Sequence, residues 1–377
     1  MKVFVIIILL LIIVKLFWVI IKTYRHGNFS KEEKESIQRA RYLVSKVATL
    51  PQHLMSSMPK WIPSQFQGEW AIYSCSMTCK ALANISKLYP KYREEFVKHI
   101  STIINIALSK EIREYDRERW NEDPIEGING QLSHLSYYSH LAWMISEYKE
   151  IGGDARFDGL YHSFCKAMND RILTSPALNL PTYPYESIYV PDMLVAIVAL
   201  SNYSRQNNGK YNLTVKKWIL KAKTEWINYK TGLLASFLTE NGIIIPSIKG
   251  SYSSLNCYYL SLIDYEFAKK QYEFLKKNFK QNYPFTGIKE YYDRKCMFGF
   301  DIDAGPIIFN LSPSGTAFAI GAATMMNDLK FRKQLLKTAE IAGTTVTSNG
   351  MSHYLLSNLA LVGEAITLAM RTSVNLK

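Results

Sequence analysis

The sequence predicts an all-α fold, an (α/α)6 toroid or barrel preceded by one N-terminal transmembrane helix. Three observations predict it. An unbroken apolar run opens the chain. Apolar residues then recur at helical spacing in about a dozen stretches, with few alternating β-branched ones. Lysine-rich stretches such as 215–228 and 266–280 alternate with nearly all-apolar ones such as 194–200 and 317–323. An inner ring of buried helices and an outer ring of amphipathic ones would leave that alternation in a sequence. A helical solenoid is the rival, and no fixed-period repeat supports it.

Residues 3–21 read VFVIIILLLIIVKLFWVII, with Lys15 the only charge. At about 1.5 Å per residue they span about 28 Å, near the hydrocarbon thickness of a bilayer. Lys15 is close enough to the apolar end to snorkel towards the headgroups. A signal peptide has a shorter apolar core and small residues at its cleavage site, whereas Lys22, Thr23, Tyr24, Arg25 and His26 follow here. Residues 1–22 therefore read as a retained single-pass anchor, with the lipid bilayer as a partner through residues 3–21. The side is open. Lys22, Arg25, Lys31 and Lys34 against Lys2 favour a cytoplasmic domain, yet many exported proteins are tethered by a short tail before a large domain.

Residues 23–64 read as a juxtamembrane helix and a proline-containing linker. Ser30 followed by Glu33 resembles a capping box opening a charged helix to about Lys46. Pro51, Pro59 and Pro63 then break the chain. The barrel domain is expected over 65–377. Trp70, Tyr73, Met77, Leu82 and Ile85 keep helical spacing up to Tyr89-Pro90. Further helices are expected over 96–108, 132–149, 157–172, 193–203, 215–228, 257–278, 314–326, 329–341 and 353–370. Loops rich in Pro, Gly, aromatics and acids are expected over 115–131, 179–192, 231–256 and 283–313.

The composition narrows the chemistry. Five scattered cysteines (Cys75, Cys79, Cys165, Cys257, Cys296) give neither a disulfide framework nor a zinc pair. Cys75 and Cys79 share a helix face and read as buried small side chains. The formal charge of +13 is dispersed over outer helix faces, as at Lys216, Lys217, Lys269 and Lys270, without a nucleic-acid module. A solvated basic face near anionic lipid fits it better than nucleic acid. Gly-rich phosphate loops, HExxH, GxSxG and metal-ligand clusters are missing from the sequence, so no cofactor or metal is expected.

Three loops concentrate acids beside aromatics. DRERWNEDP carries Asp116, Trp120, Glu122 and Asp123; solvated loop charge would explain the acids but not Trp120. PTYPYESIYVPDM carries Tyr183, Glu186, Tyr189 and Asp192, the last also readable as the N-cap of a helix starting near Met193. FDIDAGP carries Asp301 and Asp303, which point the same way if the segment is extended. Like charges held together raise one pKa and yield an acid and a base from two carboxylates. Tyr252 joins them as a candidate for substrate binding. His134 and His140, six apart on one expected helix, lie about 600° around its axis, so only one would face a cavity.

YYSHLAWMISEY around His140, the YPYESIYVPDM segment and SPSGTAFAIGAA after Asp303 resemble the linalool dehydratase-isomerase family of (α/α)6 barrels. The resemblance extends over roughly residues 65–370. It implies that His140 lines the cavity as the active-site histidine. It also places Tyr183 and Asp192 where the terpene enzymes have two cysteines, a departure that puts thiol-assisted chemistry on linalool in doubt.

The expected function is acid–base catalysis in a central cavity. His140, Tyr183, Asp192, Asp301 and Asp303 are the candidate catalytic residues, and Asp116, Trp120, Asp123, Glu186 and Tyr252 the candidate substrate-binding ones. The family resemblance points to a lyase or isomerase of an alcohol. So many acids and aromatics suit a more polar substrate, such as an oligosaccharide, because aromatics stack on sugar faces and acids bind hydroxyls. The alternatives are a glycan-processing hydrolase, a non-catalytic glycan- or lipid-binding module, and a structural partner protein.

Overall fold

The structure, a computed structural model, describes residues 2–23 and 29–374. Arg25, counted above among the charges flanking the anchor, lies outside them. The apolar run forms helix α1 (Lys2–Thr23), and its Phe4–Thr23 portion is long and apolar enough to cross a membrane. Two helices follow, α2 (Phe29–Val47) and the short α3 (Pro51–Ser56), which opens on proline, a residue suited to the first helical turn. Ser30 lies inside α2 rather than before it, so the expected capping box is not formed.

Six helices then build an inner ring: α4 (Ser64–Leu88), α7 (Leu135–Glu150), α9 (Val190–Gln206), α11 (Gly250–Ser261), α13 (Pro313–Met325) and α15 (Leu361–Arg371). Each packs on the next, and α15 packs back on α4, so the ring closes. Their sequences are buried nearly all round, as the apolar runs predicted. Outside them lie α5 (Arg93–Ala107), α8 (Asp158–Thr174), α10 (Asn212–Thr224), α12 (Tyr265–Phe279) and α14 (Leu329–Gly343), each packed on the inner helix it follows. Their apolar stripe faces in and their lysines face solvent. This is the (α/α)6 barrel.

The sixth outer position is filled from the other end of the chain. α2 packs on α4 and α15, burying Ile37, Ala40, Leu43 and Val47. Buried ion pairs fix it there. The Glu32 carboxylate accepts from both terminal nitrogens of the Arg332 guanidinium at 2.9 Å and lies 3.3 Å from Arg371. Arg371 also meets Glu35 at 2.9 Å, and Arg39 meets Glu364 at 2.6 Å. The stretch expected to be a juxtamembrane helix ahead of the barrel thus supplies a barrel helix.

Other expectations shift for local reasons. The run over 257–278 is two helices, because Asp264 caps α12 by accepting from the Phe267 amide at 3.0 Å. The helix expected over 353–370 is a hairpin strand, Met351–Tyr354, followed by α15. Residues 115–120, expected in a loop, end helix α6 (Lys110–Trp120). His134 precedes α7 in a left-handed conformation (φ 46°) and is not part of that helix.

All inner helices run the same way. The short turns (for example 89–92, 207–211 and 262–264) gather at their C-terminal end, and the long loops, with small antiparallel strands, at their N-terminal end. That end carries the acids.

Candidate active site

Among the tightly buried inner helices, a few side chains near the N-terminal ends keep partial exposure: Glu69, Trp70 and Tyr73 on α4, Asp192 on α9 and Tyr252 on α11. Residues of three inner helices that stay partly exposed and feel one another's charge line a shared cavity. Gly68 lets α6 come close beside Glu69, since a Cβ there would fall 2.5 Å from the Tyr115 Cβ.

The three carboxyl groups Glu69, Asp192 and Asp303 feel one another across this space. Burial, then the charges of Asp192 and Asp303, pushes the Glu69 carboxyl up to about 8. Its Oε2 is buried without a hydrogen bond. Burial likewise pushes Asp192 up to about 7; a 2.7 Å bond from the Thr182 hydroxyl restrains the rise, and Asp303 and Glu186 add to it. Asp192 lies in the first turn of α9 but caps nothing. The helix begins at Val190, and Tyr189 is its N-cap.

Asp303 enters at the cavity mouth from a hairpin, Phe298–Asp301 paired with Gly305–Ile308. Asp301 and Asp303 do meet, but with Lys249 between them. The ammonium lies 2.7 and 2.9 Å from the two Asp301 oxygens and 2.7 Å from Asp303. A cation there cancels the repulsion on which the reading of an acid–base pair rested. Burial alone would lower the Lys249 ammonium; Asp303 and Asp301 raise it well above the ordinary lysine range. Asp301 also accepts from the Asp303 and Ala304 amides at 2.9 and 3.1 Å and so closes its own turn. Buried Glu290 stands 3.7 Å from Lys249 and accepts from the Ser251 hydroxyl at 2.8 Å, which fixes the start of α11.

Aromatic rings form the walls. Tyr189, Phe237 and Tyr252 meet edge to face or tilted, with centroids 5.2–6.2 Å apart. Trp61 and Trp70 meet at 6.1 Å, and Trp61 touches Phe300 of the hairpin at 5.3 Å. The Arg119 guanidinium lies 4.2 Å over the Tyr183 ring and 2.9 Å from Glu186, whose other oxygen accepts from the Tyr189 hydroxyl at 2.9 Å. The buried Tyr183 phenol approaches Glu69 and restrains its rise, yet completes no hydrogen bond. It is a donor left without a partner.

Of the sequence-derived candidates, Tyr183, Glu186, Asp192, Tyr252, Asp301 and Asp303 come together here. Asp116, Asp123, Trp120 and His140 do not line the cavity. Asp116 is fully buried and bonded to His134 Nδ1 at 2.5 Å. Asp123 pairs with Arg113 at 2.8 Å and accepts from the Ile125 amide at 2.9 Å, so it holds the loop. Trp120 lies against the His134 ring, at 5.6 Å. His140 is buried behind Tyr73, their ring centroids 4.3 Å apart, and burial pushes its pKa down to about 3. The family resemblance had set it on the cavity wall. Sequence reasoning missed Glu69, Tyr73, Lys249 and Arg119. Glu69 is the lone acid of α4, between Gly68 and Trp70, and that was the available signal for it.

The fold is that of (α/α)6-barrel proteins, and the solved structures it resembles are of that kind. One is an unsaturated glucuronyl hydrolase specific for heparin, with TM-score 0.57 and 11% identity, covering 90% of this chain and 95% of its own. Another is an unsaturated glucuronyl hydrolase variant with dGlcA-Glc-Rha-Glc, with TM-score 0.52 and 12% identity, covering 89% of this chain and 95% of its own. No protein-family model and no curated protein matches the chain. At this identity the structural neighbours show the fold. They lend nothing to the linalool dehydratase-isomerase assignment beyond it.

Proposed function

We propose that this protein is a glycan-processing hydrolase held to a membrane by α1, acting on an oligosaccharide in the barrel cavity. One observation carries the reading: Glu69 and Asp192 face the same aromatic-walled cavity, with pKa values raised to about 8 and about 7. Between those values Asp192 is ionised while Glu69 keeps its proton, which is the division of labour that hydrolysis of a glycosidic bond requires. Asp192 would take a proton from the attacking water, whose oxygen bonds to the sugar carbon. Glu69 would give its proton to the departing oxygen as the carbon–oxygen bond breaks. Tyr183 is the free donor for a sugar oxygen, and Trp70, Tyr73 and Tyr252 offer ring faces. Asp303, held by Lys249 at the mouth, would accept from sugar hydroxyls.

The neighbours' activity makes unsaturated glucuronyl oligosaccharides the first substrates to try. A cavity walled by charge and phenols favours them over a bare alcohol, so the lyase or isomerase reading is second. The test is turnover of saturated and unsaturated uronyl oligosaccharides, and of prenyl alcohols, by the full chain and its Glu69→Gln and Asp192→Asn variants. Loss of hydrolysis with sugar binding kept supports the proposal. Full hydrolysis by both variants sinks the residue assignment, and turnover of the alcohols alone sinks the substrate class.

A further inference from the structure

Beside α1 the barrel carries a loop built inside out. α1 leans on the barrel along one helical stripe: Lys15, Trp18 and Lys22 are half-buried, and Val19 and Thr23 buried, while every side chain from Phe4 to Val14 is exposed. The Lys15 ammonium donates to the Thr344 hydroxyl, at the C-cap of α14. The loop over 355–360 is tied to that same spot. The Leu355 amide donates to the carbonyls of Gly343 at 3.0 Å and Thr344 at 2.9 Å. The loop's polar groups serve the interior: the Ser357 hydroxyl bonds with the Tyr42 hydroxyl at 2.8 Å and with His353 Nδ1 at 3.0 Å, and Tyr42 also donates to Asn358 at 3.3 Å. Its leucines face outward, Leu355, Leu356 and Leu359 being 58%, 53% and 58% exposed. A loop meant for water turns the other way, and clustered exposed leucines mark a contact surface.

We infer that this loop is a lipid seat: Leu355, Leu356 and Leu359 enter the bilayer beside α1, so that the active-site end of the barrel rests on the membrane. The inference rests on the reading of α1 as an anchor. The Phe4–Thr23 span rises about 30 Å, no more than the hydrocarbon thickness it has to match. Its last portion, about 12 Å from Lys15 to Thr23, is already flanked by the barrel. The barrel surface along that portion therefore shares the depth of the headgroups and outer acyl chains. Thr344 and the leucine loop are that surface. Trp18, with the Lys15 and Lys22 ammonium groups 5.5 and 5.7 Å from its ring, is the aromatic and basic pairing found at a membrane interface.

The test uses the full chain in phosphatidylcholine–phosphatidylglycerol vesicles. In a Cys296→Ser background, which leaves only buried native thiols, single cysteines replace Leu356, Leu359, Ile12 or Leu213 and carry an environment-sensitive fluorophore. Leu213 is as exposed as the loop leucines, at 64%, but opens α10 at the opposite end of the barrel. Doxyl-labelled lipids should quench the probes at 356 and 359 several-fold more than the probe at 213. If 356 and 359 behave like 213 while 12 is quenched, the seat is wrong and the anchor stands. If 12 is not quenched either, the anchor reading fails and the seat with it.

Discussion

Two buried clusters of carboxylates in this barrel have been treated in opposite ways. At the seam where α2 joins α14 and α15, Glu32, Glu35 and Glu364 each meet an arginine within 2.6–3.3 Å. In the cavity, Glu69 and Asp192 stand partly exposed near other acids, with one hydroxyl bond to Asp192 and, among the described residues, no bond to the Glu69 Oε2. The first arrangement satisfies charge and fixes a helix. The second leaves charge unsatisfied and lifts the pKa values into the range where protons move at neutral pH. Both are largely withdrawn from water; an arginine in direct contact, rather than one acting at a distance as Arg119 does on Glu69, decides whether a carboxylate holds structure or is free for chemistry.

The comparison breaks most sharply under substitution. Asn at 192 or Gln at 69 should lower turnover by about 10²–10⁴ with no fall in the melting temperature, measured by hydrolysis rate and thermal unfolding on the same samples. At the seam the outcome should invert. Arg332→Met removes the two 2.9 Å bonds that Glu32 accepts from Arg332 and should cost about 3–5 kcal/mol of unfolding free energy, read by urea titration, with the specific activity of the folded fraction unchanged. A turnover loss at the seam, or unfolding at the cavity, would erase the distinction.

The pH dependence sharpens it. The rate should rise as Asp192 ionises through about pH 7 and fall as Glu69 loses its proton through about pH 8, giving a narrow bell. Stability gives a further test. The Glu69 pKa is raised on folding, so its favourable contribution is complete below about pH 4.5 and is lost as pH rises through about 8. Glu69→Gln should therefore leave the melting temperature unchanged at pH 5 and raise it at pH 9. Calorimetry at the two pH values checks this. A variant less stable at pH 9 would mean that Glu69 has a counter-ion after all.

How much of this was legible depends on the distance over which each feature is encoded. The barrel followed from helix period and from the alternation of apolar and basic runs, both local. Tyr183, Glu186 and Asp192 were legible because one loop crowds acids and rings into thirteen residues. Lys249 was not, because its meaning comes from Asp301 and Asp303 more than fifty positions on, brought together by the hairpin. His140 misled through a motif whose histidine the fold buries. The missed hairpin had a local signal. Asn349 and Gly350 both take positive φ, 51° and 73°, the residues a two-residue hairpin turn selects. The role of α2 was hidden for a different reason, since its acids Glu32 and Glu35 meet arginines near the far end of the chain.

That last arrangement also sets the order of assembly. Arg39 and Glu364 are 325 positions apart, and closure of the ring waits on contacts of that span. Such non-local pairing slows folding. A nascent chain would carry α2 against α4 with its partners on α14 and α15 unmade until α15 has been synthesised, the flank of α4 that meets α15 staying open until then. The growing protein is a crescent until α15 emerges, and becomes a barrel only when that helix meets α2 and α4.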